Sequence, residues 1–98
     1  MNSQEAVAIL RRHQDDLQAR GVLHAALFGS LARGEARPNS DVDIMVDLDP
    51  SARLDLFGYV RLTRYMAELF STPVDVVIRE ALKPHVRPSA EKEAVHAF

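Results

Sequence analysis

Two aspartates separated by one residue are the side chains of this sequence best suited to chemistry. Asp41 and Asp43 lie in a segment whose even-numbered positions are all apolar, namely Val42, Ile44, Val46 and Leu48. Alternate side chains of a β-strand share a face, so the two carboxylates would lie side by side, with Cα atoms about 6.6 Å apart. Like charges this close repel unless a cation lies between them, and Mg²⁺ accepts a few carboxylate oxygens together with water and substrate phosphates. The pair therefore predicts a Mg²⁺ site.

A third carboxylate lies in a later apolar segment. Asp75 is the single acid within Val74–Ile78. If this segment is a strand beside the first one, Asp75 completes a cluster with Asp41 and Asp43. Three carboxylates can hold two metal ions about 3.5–4 Å apart for in-line phosphoryl chemistry. The sequence thus predicts a two-metal site with these three aspartates as metal ligands and catalytic residues.

A glycine–serine pair could provide a phosphate-binding turn. Gly29 and Ser30 end the apolar segment 22–28, and Arg33 lies about one helical turn later. Glycine lets the backbone approach a ligand closely, and the amides that open a helical turn can bind phosphate, to which the Ser30 hydroxyl adds a donor. Ten residues then lead to Asp41. This arrangement suits a metal-bound nucleoside triphosphate, with Gly29, Ser30 and Arg33 as its phosphate-binding residues.

The elements that must position these residues follow from hydrophobic periodicity. Residues 3–20 and 53–70 have helical spacing, and a short helical turn is expected at 31–33. Strands are predicted at 22–28, 41–48 and 74–78. After Pro84 and Pro88, residues 89–98 predict a helix, or a helix running into a short final strand. This alternation predicts an α/β (α+β) domain in which helices pack on one sheet.

The helix predicted over residues 53–70 is amphipathic. Its apolar side, which we expect to be core, includes Phe57, Tyr65, Met66 and Leu69. Arg61 and Arg64 are expected on a solvated face that could also meet an acidic partner. Asp47 and Asp49 share the strand face of the predicted metal ligands, but we expect them to be solvated at the strand end, where the sheet twists away.

Length and composition exclude several classes. The chain has 98 residues, a length that predicts one domain over residues 1–98. Its 12 Lys or Arg and 14 Asp or Glu give a net charge of −2. The acidic balance argues against a domain that grips nucleic acid by its phosphates. No apolar stretch approaches the ~20 residues of a membrane span. The start lacks a signal-like segment and the chain lacks cysteine, which fits a cytoplasmic protein.

These motifs resemble the signature of the DNA polymerase β-like nucleotidyltransferase superfamily. Leu27–Ser30, ten residues, and then Asp41-Val42-Asp43 match its Gly-Ser…Asp-x-Asp pattern, and the intervening residues are similar to Gly-Ser-x-Ala-Arg-Gly…Ser-Asp-x-Asp. Asp75 resembles the third acid of that family. The tail is similar to that of the small minimal nucleotidyltransferases (MNT), which pair with HEPN-domain toxins as MntA-like antitoxins.

The resemblance implies a mixed sheet with helices on one face and the active site on the other. It implies that Asp41 and Asp43 bind Mg²⁺, that Asp75 binds the catalytic metal and helps deprotonate the attacking hydroxyl, and that Gly29 and Ser30 contact the triphosphate. The implied reaction transfers AMP from ATP to a tyrosine of a HEPN toxin, with no direct binding of nucleic acid or membrane.

Two other functions stay open on the sequence. The chain could neutralise its toxin by forming a complex, with catalysis secondary or lost, since a domain this small is only marginally stable alone. It could also be a small-molecule nucleotidyltransferase of the aminoglycoside type, which would need a homodimer to build an acceptor pocket. A hetero-oligomer with the toxin or a homodimer is therefore expected.

Overall fold

The computed structural model describes residues 1–35, 37, 41–52 and 54–98. The helices are α1 (Ser3–Arg12), α2 (Gln14–Ala19), α3 (Gly29–Ala32), α4 (Leu56–Phe70) and α5 (Arg87–Glu93). The strands are β1 (Val22–Phe28), β2 (Val42–Leu48), β3 (Val74–Ile78) and β4 (Val95–His96). Single 3₁₀ turns occur at Pro50–Ala52 and Arg79–Ala81. The family-like residues Asn39 and Ser40 lie outside the described residues, as does Arg53, the first residue of the helix predicted over 53–70.

The four strands form one mixed sheet in the order β3-β2-β1-β4. β1 pairs antiparallel with β2 and with β4, whereas β2 and β3 are parallel. A parallel pair needs a crossover connection, and α4 provides it between β2 and β3. The predicted mixed α/β fold is confirmed.

The alternation in β2 divides the molecule into two layers. Ile44 and Val46 are fully buried in the main core, together with residues of α1, α2 and α4. Met45 points to the other face and packs with Ala26 and with Ala90 of α5 in a second, smaller cluster. The main helix layer therefore covers one face of the sheet, and α5 covers part of the face on which the odd-numbered aspartates lie.

The helix boundaries differ from the prediction in two places. The helix expected over 3–20 is interrupted at His13, whose φ and ψ of −107° and 18° are not helical, so α1 and α2 are separate. α4 begins after Asp55, whose carboxylate accepts a hydrogen bond of 2.7 Å from the Gly58 amide. An N-cap aspartate satisfies an amide that no helical carbonyl can reach, and this fixes the start of α4 later than the periodicity indicated.

The tail takes the second of its two predicted forms, a helix followed by a short strand. Pro88 lies in the first turn of α5, where a missing amide donor costs nothing. β4 then pairs with β1 through Ala26 and Leu27. The Arg11 side chain donates a 2.7 Å hydrogen bond to the Ala97 carbonyl and thereby ties this end of the chain to α1.

One residue predicted to be core is exposed. Phe57 has 71% of its surface accessible, whereas Met66 is fully buried and Leu62 nearly so. The buried row of α4 is Gly58, Leu62, Met66 and Phe70, spaced four residues apart. At about 100° per residue Phe57 lies some 140° around the helix from Leu62, so it faces away from the sheet. No helix among the described residues has the length and apolar character that a membrane span requires.

Candidate active site

The parallel pairing of β2 and β3 brings two of the predicted acids together. Asp43 and Asp75 are direct partners in the register of these strands. Neighbouring strands lie about 4.8 Å apart and paired residues share a face, so both carboxylates project from the same side of the sheet. Asp41, immediately before β2, is two residues from Asp43. Asp43 is partly buried, while Asp41 and Asp75 are exposed.

The electrostatics of Asp43 reflect this crowding of negative charge. Burial raises the pKa of the Asp43 carboxyl, and the charges of Asp75 and Asp41 raise it further, while Arg33 opposes them. A raised carboxyl pKa means that the ionised form is disfavoured where it lies. A cation at this position would remove that penalty.

Gly29 closes directly against the Asp43 carboxylate. Its φ of +72° lies in the left-handed region, and a Cβ atom built on it would be 2.3 Å from Asp43 Oδ2. Glycine is therefore required here for two reasons: the left-handed backbone conformation, and the lack of space for a side chain. Phe28, the residue before it, pairs with Asp43 across β1 and β2. The turn into α3, including the partly buried Ser30, therefore lies beside the acids.

Arg33 lies near this group but is engaged elsewhere. Its Nε donates to Glu35 at 3.0 Å and one terminal nitrogen donates to Glu93 at 3.1 Å. The hydrogen bond with Glu35, followed by that with Glu93, raises the pKa of the Arg33 guanidinium. Its charge still acts on Asp43. A contact with phosphate would require Arg33 to exchange at least one carboxylate for the ligand.

The donor set fits a hard cation shared with a substrate. Within the described ranges, no three His, Cys, Asp or Glu side chains are placed to hold one metal ion by themselves. Mg²⁺ does not need such a cage, because it keeps several waters and takes one or two carboxylates together with substrate phosphates. Asp43 and its neighbours Asp41 and Asp75 offer oxygen ligands of this kind, beside a turn that could hold the phosphates.

An ion-pair network on the same sheet face was missed by the sequence prediction. Asp47, expected to be solvated, accepts a hydrogen bond of 2.5 Å from Arg79, which also contacts Glu91 of α5 at 3.3 Å. Arg87 donates to the same Glu91 at 2.8 Å. No local pattern of the sequence could have revealed this contact, because it follows from the strand register, which pairs Val46 with Ile78 and so places Asp47 beside Arg79.

The network borders a cavity of about 420 Å³ lined by, among others, His24, Ala26, Met45 and His96. Asp47 is four residues from Asp43 along β2, a distance of about 13 Å between Cα atoms. Between them Met45 packs against Ala90. The cavity and the three acids are therefore separate features of one face.

Comparison with known proteins adds independent information. A family model described as "Nucleotidyltransferase domain" matches residues 10–96. The chain is 36% identical over 96 residues to protein adenylyltransferase MntA of Thermococcus cleftensis, covering 95% of this chain and 93% of the relative. It is 29% identical to a solved candidate minimal nucleotidyltransferase, with a TM-score of 0.81 and coverage of 97% of this chain and 95% of that one.

A more distant structure shares the fold. It is a tri-AMPylated Shewanella oneidensis HEPN toxin in complex with an MNT antitoxin, whose matched chain is 17% identical, with a TM-score of 0.66 and coverage of 94% of this chain and 71% of that one. The family model and the Thermococcus relative each match most of the chain. On these grounds the chain belongs to the nucleotidyltransferase domain family.

Proposed function

We propose that this member of the nucleotidyltransferase family is a Mg²⁺-dependent protein adenylyltransferase that modifies a tyrosine of a HEPN-domain toxin with AMP from ATP, and so acts as an antitoxin. The observation that carries the proposal is the register of Asp43 with Asp75 beside Gly29. The acceptor and the antitoxin role are supported by the names of the relatives, a protein adenylyltransferase and an MNT antitoxin bound to an AMPylated HEPN toxin.

In this proposal each site residue has a defined task. Asp41, Asp43 and Asp75 would hold Mg²⁺ in a two-metal site, and the metal would supply charge neutralisation at the phosphates. The Gly29 and Ser30 turn would orient the triphosphate, with Arg33 as a further phosphate contact. Positioning and electrostatic stabilisation of this kind provide most of the rate in phosphoryl transfer.

The reaction itself is a single displacement. The tyrosine oxygen would attack the α-phosphorus in line, forming the new oxygen–phosphorus bond while the bond to the bridging oxygen of the β-phosphate breaks. Pyrophosphate leaves with that electron pair, and Asp75 accepts the proton of the tyrosine hydroxyl. Its exposure suits this role, because the acceptor must approach from solvent.

The test is transfer of label from α-³²P-labelled ATP to a purified HEPN-domain protein from the same genome, in the presence of Mg²⁺. We expect the wild-type chain to label the acceptor and the Asp43→Asn variant to lose at least about 10²-fold of that rate, the scale seen when one electrostatic group of an active site is removed. Asp15→Asn is the matched control, since Asp15 is an exposed carboxylate on α2. Absence of label, or equal labelling by Asp43→Asn, would contradict the catalytic claim.

Neutralisation by complex formation remains a second candidate, favoured by the apolar residues that α4 exposes. A cell-growth assay separates the two functions. If binding alone protects cells from the toxin, the inactive Asp43→Asn variant protects as well as the wild type does. If transfer of AMP is required, the same variant fails to protect although it still forms the complex.

A further inference from the structure

Arg33 is held by two carboxylates that come from different parts of the chain. Its Nε donates a hydrogen bond of 3.0 Å to Glu35, two residues later. Its Nη1 donates one of 3.1 Å to Glu93 of α5, which is 60 residues away in the sequence. Both ion pairs are exposed to solvent. The second one joins α5 to the turn that follows α3.

Arg33 is also close to the predicted metal ligands. Its amide donates to the Gly29 carbonyl at 3.1 Å, so it follows that glycine by one helical turn, about 6 Å along the axis. Gly29 closes against the Asp43 carboxylate, and the charge of Arg33 opposes the rise that burial and the neighbouring acids cause in the pKa of Asp43. Among the described residues, however, the ion pairs of Arg33 are with Glu35 and Glu93 and not with Asp43.

The shape of the guanidinium shows what the two carboxylates occupy. A guanidinium grips a phosphate with two parallel hydrogen bonds, made either by its two terminal nitrogens or by Nε and one terminal nitrogen. Glu93 engages Nη1 and Glu35 engages Nε, so each carboxylate blocks one of these two edges. Arg33 therefore cannot bind a phosphate through two bonds while both contacts persist.

Glu93 blocks the edge that matters more for a ligand. The two terminal nitrogens lie at the tip of the side chain, farther from the backbone than Nε, and this edge is the one with which Arg33 can reach beyond its own turn. Glu35 holds the inner nitrogen and follows Arg33 by two residues, so it can remain bound while the tip is exchanged. The contact that must open is the one with Glu93.

Exchange of Glu93 for a phosphate is energetically accessible. An exposed ion pair contributes little, because its separated charges are well solvated. A two-bond contact between guanidinium and phosphate is charge-assisted and stronger. Glu93 is nevertheless part of the same chain and is always present beside Arg33, so it competes with any phosphate that arrives there and lowers its apparent affinity.

We propose that Glu93 withholds the tip of the Arg33 side chain from the triphosphate in the free protein, and that bound nucleotide takes its place. The location of the triphosphate beside Arg33 rests on the proposed function. Binding of nucleotide is measured without an acceptor protein, so this inference and the proposed transfer of AMP can fail separately.

The experiment measures the Kd of mant-ATP, a fluorescent analogue of ATP, for the full chain in the presence of Mg²⁺. We expect Glu93→Gln to bind it about threefold more tightly than the wild type, the scale of one exposed ion pair. Arg33→Met should bind it at least about threefold more weakly, because a charged phosphate contact is lost. Glu68→Gln is the matched control and should bind as the wild type does, since Glu68 is an exposed carboxylate on α4 that forms no ion pair with a described residue.

A double variant separates the release of Arg33 from the loss of a negative charge. Removal of the Glu93 charge would favour any nearby anion, whether or not Arg33 takes part. If Glu93 acts through Arg33, the substitution Glu93→Gln should leave the Kd unchanged in a chain that already carries Arg33→Met.

Three results would overturn the inference. They are an equal gain from Glu93→Gln with and without Arg33, a Kd that Glu93→Gln leaves unchanged or weakens, and an Arg33→Met variant that binds as the wild type does. Circular dichroism confirms that each variant is folded. The expected pattern of binding without transfer of label would contradict the proposed function alone, whereas a wild-type chain that binds no nucleotide would contradict both.

Discussion

Asp43 is the residue on which the other groups of the site converge. Its carboxylate lies between the turn at Gly29 and the strand position of Asp75, and its pKa is raised by burial and by the neighbouring acids. A carboxylate in this position adds charge repulsion to the free protein, and in the proposed function it would be a ligand of the bound cation. The repulsion that destabilises the fold and the proposed metal binding therefore come from the same three carboxylates, Asp41, Asp43 and Asp75.

The special position of Gly29 leads to a prediction with a built-in control. Gly29→Ala should lose at least about tenfold of the transfer rate, because its Cβ would overlap Asp43 Oδ2 and displace that carboxylate. Gly34 has nearly the same φ, +74° against +72°, but nothing lies within 4 Å of the point that a Cβ would occupy there. Both alanine variants should therefore share a loss of about 1–2 kcal/mol of stability from the left-handed backbone, measured by urea unfolding.

Only Gly29→Ala should combine that loss with the loss of transfer. Equal activity in the two variants would show that contact with the Asp43 carboxylate is irrelevant to the chemistry. If Gly34→Ala lost much more stability than the backbone conformation alone explains, the result would contradict the open space around that residue.

Residue types and local spacing were enough to single out the acids and the glycine as candidate site residues, whose roles stay predictions, but they did not give the surroundings of these residues. The alternation in β2 and the need for glycine at a tight turn are local properties of the sequence. The contact of Arg79 with Asp47 depends on the register of two strands that are distant in the chain, and residue-by-residue patterns do not contain it. The same holds for Arg33, whose partner Glu93 belongs to α5.

At the scale of elements, α5 is joined to the sheet by exposed ion pairs in addition to its apolar contact with Ala26 and Met45. Glu91 accepts from Arg87 and contacts Arg79, which also binds Asp47, and Ala90 is the buried residue of this helix. Individually such exposed pairs contribute little, but a network that shares its partners fixes the position of a short helix.

This network predicts a dependence of stability on pH. The hydrogen bond from Arg87, with a smaller contribution from Arg79, lowers the pKa of the Glu91 carboxyl below its ordinary value. A lowered folded-state pKa contributes stability that is present above the ordinary carboxyl range and is lost as pH falls through the lowered value. Glu91→Gln should therefore reduce the Tm at pH 7, and the difference from wild type should close below about pH 4.

The measurement is thermal unfolding from pH 7 to pH 3. Glu68→Gln is its control, because Glu68 is exposed and forms no ion pair with a described residue. A constant difference between Glu91→Gln and wild type across the whole pH range would show that the carboxylate has no stabilising charge interaction.

The helices show where periodicity alone misleads. The break at His13 and the late start of α4 after Asp55 depend on backbone angles and on one capping bond. The size and apolar character of Phe57 predict a core position, although its angular position on α4 differs from that of Leu62 and Met66. Position on the helix is the better guide than residue type.

For the whole molecule, the parallel arrangement of β2 and β3 around α4 determines both the fold and the site. The order of strands could not be read from local patterns, since any of the predicted strands could have been neighbours. Once β2 and β3 are joined by a crossover helix they must run parallel, and the acids at their beginnings meet at one edge of the sheet.

A whole-molecule test of the site is stabilisation by its substrate. ATP with Mg²⁺, at about 100 times its Kd, should add about 2.7 kcal/mol to the free energy of unfolding, which for a domain of this size is a rise in Tm of more than about 10 °C. Removal of Mg²⁺ with EDTA should abolish most of this rise, because three carboxylates without a cation repel the triphosphate. An equal rise with and without EDTA, recorded by differential scanning fluorimetry, would contradict a metal-bound substrate.

The pairing of Asp43 with Asp75 also makes a shifted strand register unfavourable. If β3 slipped by one residue along β2, Val76 would turn outward and Asp75 would be driven toward the apolar layer beneath the sheet. A misaligned chain would thus bury an unpaired carboxylate and be selectively unstable, a target for proteolysis rather than a long-lived inactive species. The molecules that remain folded would therefore be those in which Asp43 and Asp75 are paired.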